Sequence, residues 1–516
     1  MSGERLARAA FWCVAALIAA YQILPPSYDG QDHAHRIVML ADQLRAGAPS
    51  LLIEDRATGS VLPIFVYYSV LPYLPSLLLN LAGLPAFVAL KLVLAAATLV
   101  LAAGTRALIE SLPDERRRPA YLAGALFLSA NAVYGLWVMR AALAEIWVFA
   151  LVPWVVVALL RGRRLLLFGL LLTQLCAHPI VFGHALAATL LATLAIAPPD
   201  MRRLARAGLP ALLAALVVSA PFWLPQMLWK DYILGTAGLP VRFADTFFAV
   251  AELARPLHPQ TLGIWLPIAV ALMLALGGRR QPMRVWLLAA AFVVTQAIQT
   301  RPLFALADAI PPLGQSLLVW RLMFPAAFFG FAALALGWPT ARVWSSHLLH
   351  GLTLLSVAAM AAVMVIDAPG SLRFWFSGAV NDDVARRQYV GTVHGWAVRE
   401  YAPSYARLAN ACDIEPAALQ EVDIAAIRHG VRATAPHLSI RGAPFGTVTY
   451  LADGRELVPR ACGDNLRLGP LPAGAEVRMS QTGLDRLLVL RLLVIVALCG
   501  VLAAATIVRR RPPTTQ

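Results

Sequence analysis

The chain has 516 residues, 59% of them hydrophobic and only 14% charged, with a mean hydropathy of +0.69. A water-soluble chain carries about a quarter charged residues, so an ordinary soluble domain is excluded and most of this chain is expected to be solvated by lipid. The net charge of +15 excludes nucleic acid as its reason: only Lys91 and Lys230 are lysines, and the arginines gather in short loops between apolar runs, the bias that orients membrane helices.

The first apolar run, about Ala7 to Leu24, is long enough to cross and has no small-residue cleavage site after it, so it reads as an uncleaved anchor. It opens directly onto "YDGQDHAHR" (28–36), a dense polar stretch. The next residues place Ile37, Leu40, Ala41 and Leu44 on one side at helical spacing, which predicts an amphipathic helix lying along the membrane surface. Asp29 or Asp32 is placed to cap that helix by accepting the orphan N–H groups of its first turn. The run 61–83 is apolar, but Pro63, Pro72 and Pro75 each remove a helix hydrogen bond, and it is expected to be re-entrant or interfacial.

Further spans are predicted near 86–110, 120–138, 143–160, 165–178, 180–197, 207–228, 259–277, 284–300, 320–338, 348–367 and 486–508. With the first, that makes an all-α polytopic membrane protein of about 12 transmembrane helices. The runs at 165–197 are short and meet at "AHPIVFGH", which leaves open a single bent hairpin. The basic clusters "ERRRP" (115–119), "RGRR" (161–164), "MRRLAR" (201–206), "GGRRQPMR" (277–284) and "RRRPP" (509–513) are expected on the cytoplasmic side, with both termini. The chain then divides into a transmembrane domain (1–367) carrying an outer-face loop (27–84), an exported domain (368–485), a last helix (486–508) and a cytoplasmic tail (509–516).

The stretch 368–485 has ordinary polar composition, with short alternating pieces such as "GTVTYLA" and "RELVPRA" that predict a small β-containing periplasmic domain. Cys412 and Cys462 are its only cysteines, and in an oxidising compartment they are expected to form a disulfide, two buried thiols being the alternative.

Several ionisable residues sit beside or within apolar runs, where each costs about 2.5–3.5 kcal/mol on insertion scales and normally faces a cavity with a partner. Arg140 and Glu145, in "WVMRAALAEIWVF", are close enough in sequence to satisfy one another. Arg321, in "LLVWRLMFP", has no acid nearer upstream than Asp308, and a phosphate on a lipid-linked substrate would suit its fork of donors. His178 precedes a proline and is expected to mark a helix break. The histidines do not fall at zinc-ligand spacing, and no dedicated metal cage is visible.

An acidic motif after the first helix, a surface helix behind it and a second acid in the next outer loop resemble the GT-C superfamily, multi-spanning glycosyltransferases that use polyprenyl-phosphate-linked sugars. More narrowly, "DHAHRIVMLADQLRAG", "MRAALAEIWVFALVPWVVVAL", "VVSAPFWLPQMLWKDYI" and "LLVWRLMFPAAFFGFAALALG" resemble bacterial membrane proteins of the 6-pyruvoyl-tetrahydropterin-synthase-related membrane domain group. The resemblance covers most of the membrane part and none of 369–485.

It implies an inverting transfer of sugar from a polyprenyl-phosphate donor to a glycan, lipid or protein acceptor on the periplasmic side of a bacterial inner membrane. Asp32, and after it Asp29, would be the catalytic base. His33, His35, Arg36, Arg140, Glu145, Trp320 and Arg321 would bind substrate. No cofactor is implied, and a divalent cation is left open. The pattern "DGQDH" departs from the more regular acid pair of the superfamily, which bears on the choice between the two Asp residues. The alternative from another class is a non-catalytic transporter or scaffold for lipid-linked glycans in cell-envelope assembly; a transporter would show paired broken helices, and one broken hairpin is visible.

Overall fold

The computed structural model describes residues 3–23, 27, 29–55, 60–130, 133, 135–196, 201–229, 263–300, 319–339, 343–376, 382, 418–422, 424–441, 448–462 and 465–508. The protein is mostly helical, with a small sheet-containing region toward its C-terminus. Helix α1 (Gly3–Tyr21) buries Ala7, Phe11, Val14, Ala15 and Ile18, one face at helical spacing. That face packs on α5 (Ala86–Ile109) and α6 (Asp114–Ser129). The approach to α6 needs a glycine: a Cβ on Gly124 would stand 3.1 Å from the Phe11 ring.

Helix α2 (Gly30–Arg45) follows the polar stretch. Its expected apolar side is there, with Ile37, Leu40 and Ala41 buried, but it packs on α5 and α4 (Leu74–Leu81) rather than facing lipid alone. Its polar side is covered as well, since His33, His35 and Arg36 are all buried. The covering chain is the proline-rich segment. It forms strands β1 (Ile53–Asp55) and β2 (Ser60–Leu62), the four-residue α3 (Ile64–Tyr67), a tight turn at Leu71–Tyr73 and then α4. Its longest helix has 8 residues, about 12 Å, well short of a hydrocarbon core of about 30 Å.

Beyond α6 a π-helical turn, Gly135–Arg140, leads into α7 (Leu143–Ala150) and α8 (Val152–Leu160). Then come α9 (Arg164–Ala177), α10 (Pro179–Ile196), α11 (Met201–Val218), α12 (Ala220–Leu228), α13 (Trp265–Gly277), α14 (Met283–Ile298), α15 (Val319–Gly337) and α16 (Val343–Phe376). His178 stands at the α9–α10 break in extended conformation, and its Nδ1 accepts the N–H of Val181 at 3.5 Å.

Among the described residues, five helices are long and apolar enough to cross a membrane: Ala86–Ile109, Leu143–Leu160, Pro179–Ile196, Trp344–Ile366 and Thr482–Thr506. The pair Leu204–Val218 and Ala220–Leu228, bent by 62°, would make a sixth. Other apolar runs appear as shorter helices, including Arg164–Ala177, Met283–Ile298 and Arg321–Gly337. The expectation of about 12 spans counted apolar runs. Several of these runs break or stop before the roughly 20 residues that a crossing needs.

The C-terminal region holds two four-stranded sheets. One has the order β4 (Val431–Arg432), β10 (Glu476–Ser480), β6 (Thr449–Ala452), β7 (Arg455–Leu457). The other runs β3 (Leu419–Val422), β5 (His437–Arg441), β9 (Asn465–Leu468), β8 (Arg460–Cys462), with β3 parallel to β5. β6 and β7 form a hairpin closed by Asp453 and Gly454, both at positive φ, as the Asp-Gly pair of a tight hairpin turn requires. Helix α16 runs through the expected boundary at 368, and the last helix, α17 (Thr482–Val508), begins ahead of 486. Cys412 and the Cys462 side chain lie outside the described residues, so the expected disulfide does too; Cys13, Cys176 and Cys499 are free.

Candidate functional site

The starts of α2, α7 and α15 and the end of the π-turn meet around a chain of charges. An aromatic stack sets them in one layer. Phe149 of α7 stacks on Phe324 of α15 with centroids 4.6 Å apart, and Trp137 of the π-turn stacks on the same ring at 5.7 Å. Glu145 is four residues before Phe149 and Arg321 three before Phe324, so each lies on the same helix face as its ring and one turn beyond it. The stack thereby fixes the register in which Arg321 Nε donates to Glu145 Oε1 at 3.0 Å.

The other carboxylate oxygen of Glu145 receives Arg140 Nη1 at 3.3 Å, and Arg140 Nη2 donates to Asp29 Oδ2 at 2.7 Å. The backbone closes the same junction, because the Asp29 N–H donates to the Arg140 carbonyl at 2.9 Å. The result is a linear network, Asp29–Arg140–Glu145–Arg321, in which the side chain of Glu145 is 4% exposed and that of Asp29 34%. Ala141, just after Arg140, has φ of +55°. This left-handed conformation costs a non-glycine residue roughly 1–2 kcal/mol. It turns the chain so that Arg140 faces Asp29 while the Leu143 N–H faces α2.

Two expectations are corrected here. Arg321 does have an acidic partner, Glu145, which lies 176 residues away in sequence and was invisible to a local reading. Asp29 occupies the N-cap position of α2 but makes no capping bond with its side chain. Its carboxylate goes to Arg140 because a charged donor outbids a neutral backbone N–H.

The second part of the site lies on α2. His33 Nε2 accepts the N–H of Leu143 at 3.3 Å, and its Nδ1 lies 2.7 Å from the hydroxyl of Tyr73. Arg36 Nη1 donates to that hydroxyl at 3.0 Å, and the Arg36 guanidinium lies 4.7 Å over the Tyr68 ring. Both ring nitrogens of His33 are therefore engaged by protein groups, which makes it a buttress in this structure rather than an open ligand. Burial, reinforced by the positive charges of Arg36 and Arg140, holds the His33 pKa well below its usual 6.5.

His35 is buried on the same helix, and Asp32 is half-buried one residue ahead of His33. Trp320 is in α15 directly before Arg321, with its side chain outside the described residues. Tyr68 and Tyr73 were not among the candidates, since nothing in the spacing of an apolar proline-rich run announces which tyrosine will fold back over α2. Among the described residues no group of three or more His, Cys, Asp or Glu is placed to hold a metal ion.

No family model and no curated protein matches the sequence, so the narrower family likeness stays an expectation of its motifs. Among solved structures, the chain is similar to a single-particle cryo-EM structure of the arabinofuranosyltransferase AftD from Mycobacteria, at 15% identity and a TM-score of 0.45, covering 91% of this chain and 40% of that one. A mutant of the same protein is similar at 14% identity and a TM-score of 0.44, over 91% and 42% of the two chains. This chain thus spans about two fifths of the length of those structures.

Proposed function

We propose that this protein is a GT-C-like membrane glycosyltransferase that transfers a sugar, with inversion, from a polyprenyl-phosphate donor to an acceptor on the outer face of the bacterial inner membrane. The observation that carries the reading is the charge network Asp29–Arg140–Glu145–Arg321, centred on the buried Glu145, with Asp32 near it in the first turn of α2. Enclosing Glu145 and its two arginines does little for stability, because desolvation offsets much of the Coulomb attraction. Ionisable groups gathered in a membrane-embedded bundle mark a functional site by default.

Asp29 Oδ2 is engaged by Arg140 at 2.7 Å, and Asp32 lies three residues further on, in the first turn of α2. We assign the base to Asp32. It takes the proton of the acceptor hydroxyl as that oxygen bonds to the anomeric carbon. The bond from that carbon to the phosphate oxygen breaks, and its electron pair leaves on polyprenyl phosphate. Arg36, Arg140 and Arg321 supply positive charge toward the leaving group.

One observation favours the alternative of a non-catalytic transporter or scaffold for lipid-linked glycans. Within the network Asp29 and Glu145 balance Arg140 and Arg321, so it is electrically satisfied without an added anion.

The test is lipid mass spectrometry on protein purified in mild detergent, paired with release of polyprenyl phosphate in native membranes. The expected result is a polyprenyl-phosphate sugar carried by wild type and by Asp32→Asn, with release slowed roughly 10²–10⁴-fold in the variant, the usual contribution of a general base. Bulk phospholipid alone on the wild type would overturn the donor site. A carried donor with unchanged release in Asp32→Asn would favour the non-catalytic reading.

A further inference from the structure

The hydrogen positions around Tyr73 can be deduced. A backbone amide always carries its hydrogen, so the Leu143 N–H makes His33 Nε2 an acceptor. The one hydrogen of neutral His33 is then on Nδ1, and it is donated to the Tyr73 hydroxyl oxygen at 2.7 Å. Arg36 Nη1 can only donate, and it donates to the same oxygen at 3.0 Å. Tyr73 therefore accepts twice, and its own O–H points away from both partners. No acceptor among the described residues receives it, although the side chain is wholly buried. A buried donor left unmade is costly, and its retention asks for a ligand that completes it.

The oxygen cannot wander. Edge contacts from Phe65 at 5.7 Å, His33 at 5.5 Å and Tyr68 at 6.0 Å hold the ring. Accepting two hydrogen bonds also polarises the O–H and strengthens it as a donor. Burial pushes the phenol up to about 12 against the pull of Arg36, so it keeps its proton throughout the physiological range. Its neighbours decide what it can bind. Asp32 is four residues before Arg36, on the face of α2 that meets Tyr73. A fixed O–H donor next to a carboxylate acceptor matches a group that accepts and donates at once, which is a sugar hydroxyl. An anionic oxygen would meet the carboxylate unfavourably.

Resting on the glycosyltransferase reading above, we infer that Tyr73 is a positioning residue: its hydroxyl hydrogen-bonds one lone pair of the acceptor hydroxyl whose proton passes to Asp32. Tyr73 keeps its own proton throughout. The second lone pair of the acceptor oxygen is left to attack the anomeric carbon, so the tyrosine orients the nucleophile without consuming it. The substrate class this assigns is a carbohydrate or other polyol acceptor presenting a neutral hydroxyl.

The experiment compares wild type with Tyr73→Phe, which removes only the hydroxyl. Three quantities are measured: the load of donor lipid on the purified protein, the release of polyprenyl phosphate in native membranes, and the melting temperature. The expected outcome is release slowed on the order of 10²-fold, the effect of a misplaced reactant, with donor load unchanged. Load, release and melting temperature falling together would mean a structural role and overturn the inference. Release at the wild-type rate from a loaded Tyr73→Phe protein would overturn it while leaving the glycosyltransferase reading intact. An unloaded wild type would overturn that reading first and the inference with it.

If Tyr73→Phe does not fold, site-specific 3,5-difluorotyrosine at position 73 keeps the ring and lowers the phenol pKa. Release should then decline as pH rises through the new value, where wild type is flat; an identical profile would sink the assignment.

Discussion

At the scale of single residues, the centre of the molecule is Glu145, whose two carboxylate oxygens each receive a guanidinium while its side chain is almost fully enclosed. Its partner five residues away was legible from spacing, but Asp29 and Arg321 were not, since they lie 111 residues from Arg140 and 176 from Glu145. His33 carries a pH signature with a definite sign. Its folded pKa is depressed, so the unfolded chain binds the proton first as pH falls. The stability that neutral His33 contributes is fully present above about 6.5 and is lost progressively below it, with a slope of up to about 1.4 kcal/mol per pH unit. Thermal melts of the detergent-solubilised protein from neutral to mildly acidic pH should show this loss in wild type. His33→Gln, which does not titrate, should lose less over the same window, and parallel curves would count against the buried neutral histidine.

At the scale of elements, helices form where apolar periodicity runs unbroken, and the site is built where it breaks. The π-turn at Gly135–Arg140 and the left-handed Ala141 end one helix and start the next within a few residues. π-turns recur at functional sites because the extra residue re-aims the side chains around it. The strain at Ala141 yields a clean prediction. Ala141→Gly adopts the same backbone without a Cβ penalty and should stabilise the protein by about 1 kcal/mol. Ala141→Val should destabilise it, since a β-branched residue tolerates positive φ poorly. A thermal-shift assay reads both, and a glycine variant that melts lower would show that the turn is not strained. Between Ile64 and Leu81 the prolines did foretell a broken segment. They could not foretell that Tyr73 would meet α2, because proline restricts its own torsion and not its neighbour's destination.

At the scale of the whole molecule, the last helix is tied into the bundle by one buried side chain. Arg491 of α17 donates through Nε to the Pro221 carbonyl and through Nη2 to the Val66 carbonyl, each at 2.9 Å, and through Nη1 to the Phe65 carbonyl. Its guanidinium also lies 5.1 Å over Phe222. It thus joins three parts far apart in sequence: the covering segment over α2, the bend between α11 and α12, and α17. Asp382 makes a comparable tie, accepting the Ala86 N–H at the start of α5 and the Asn80 amide. Arg491→Ala should leave three carbonyls without their donor and destabilise the protein by roughly 3 kcal/mol or more. Melting temperature and protease resistance of the 53–81 segment should fall together; an unchanged melting temperature would show that the tie is dispensable.

Hydropathy, arginine placement and proline positions were enough, from sequence alone, to establish a lipid-solvated helical protein with a small β-containing region and a polar stretch after its first helix. These are local properties: they depend on what one turn of helix or one loop exposes to lipid or water, and a linear reading sees them directly. Only the tertiary structure decided which charges meet, that Arg321 is answered by Glu145, that Asp29 serves Arg140 rather than capping its helix, and that Tyr73 closes over His33 and Arg36. Those contacts are set by how helices dock through aromatic layers such as Trp137–Phe324–Phe149. Docking depends on packing between segments more than 100 residues apart, about which the local pattern of a chain carries no signal.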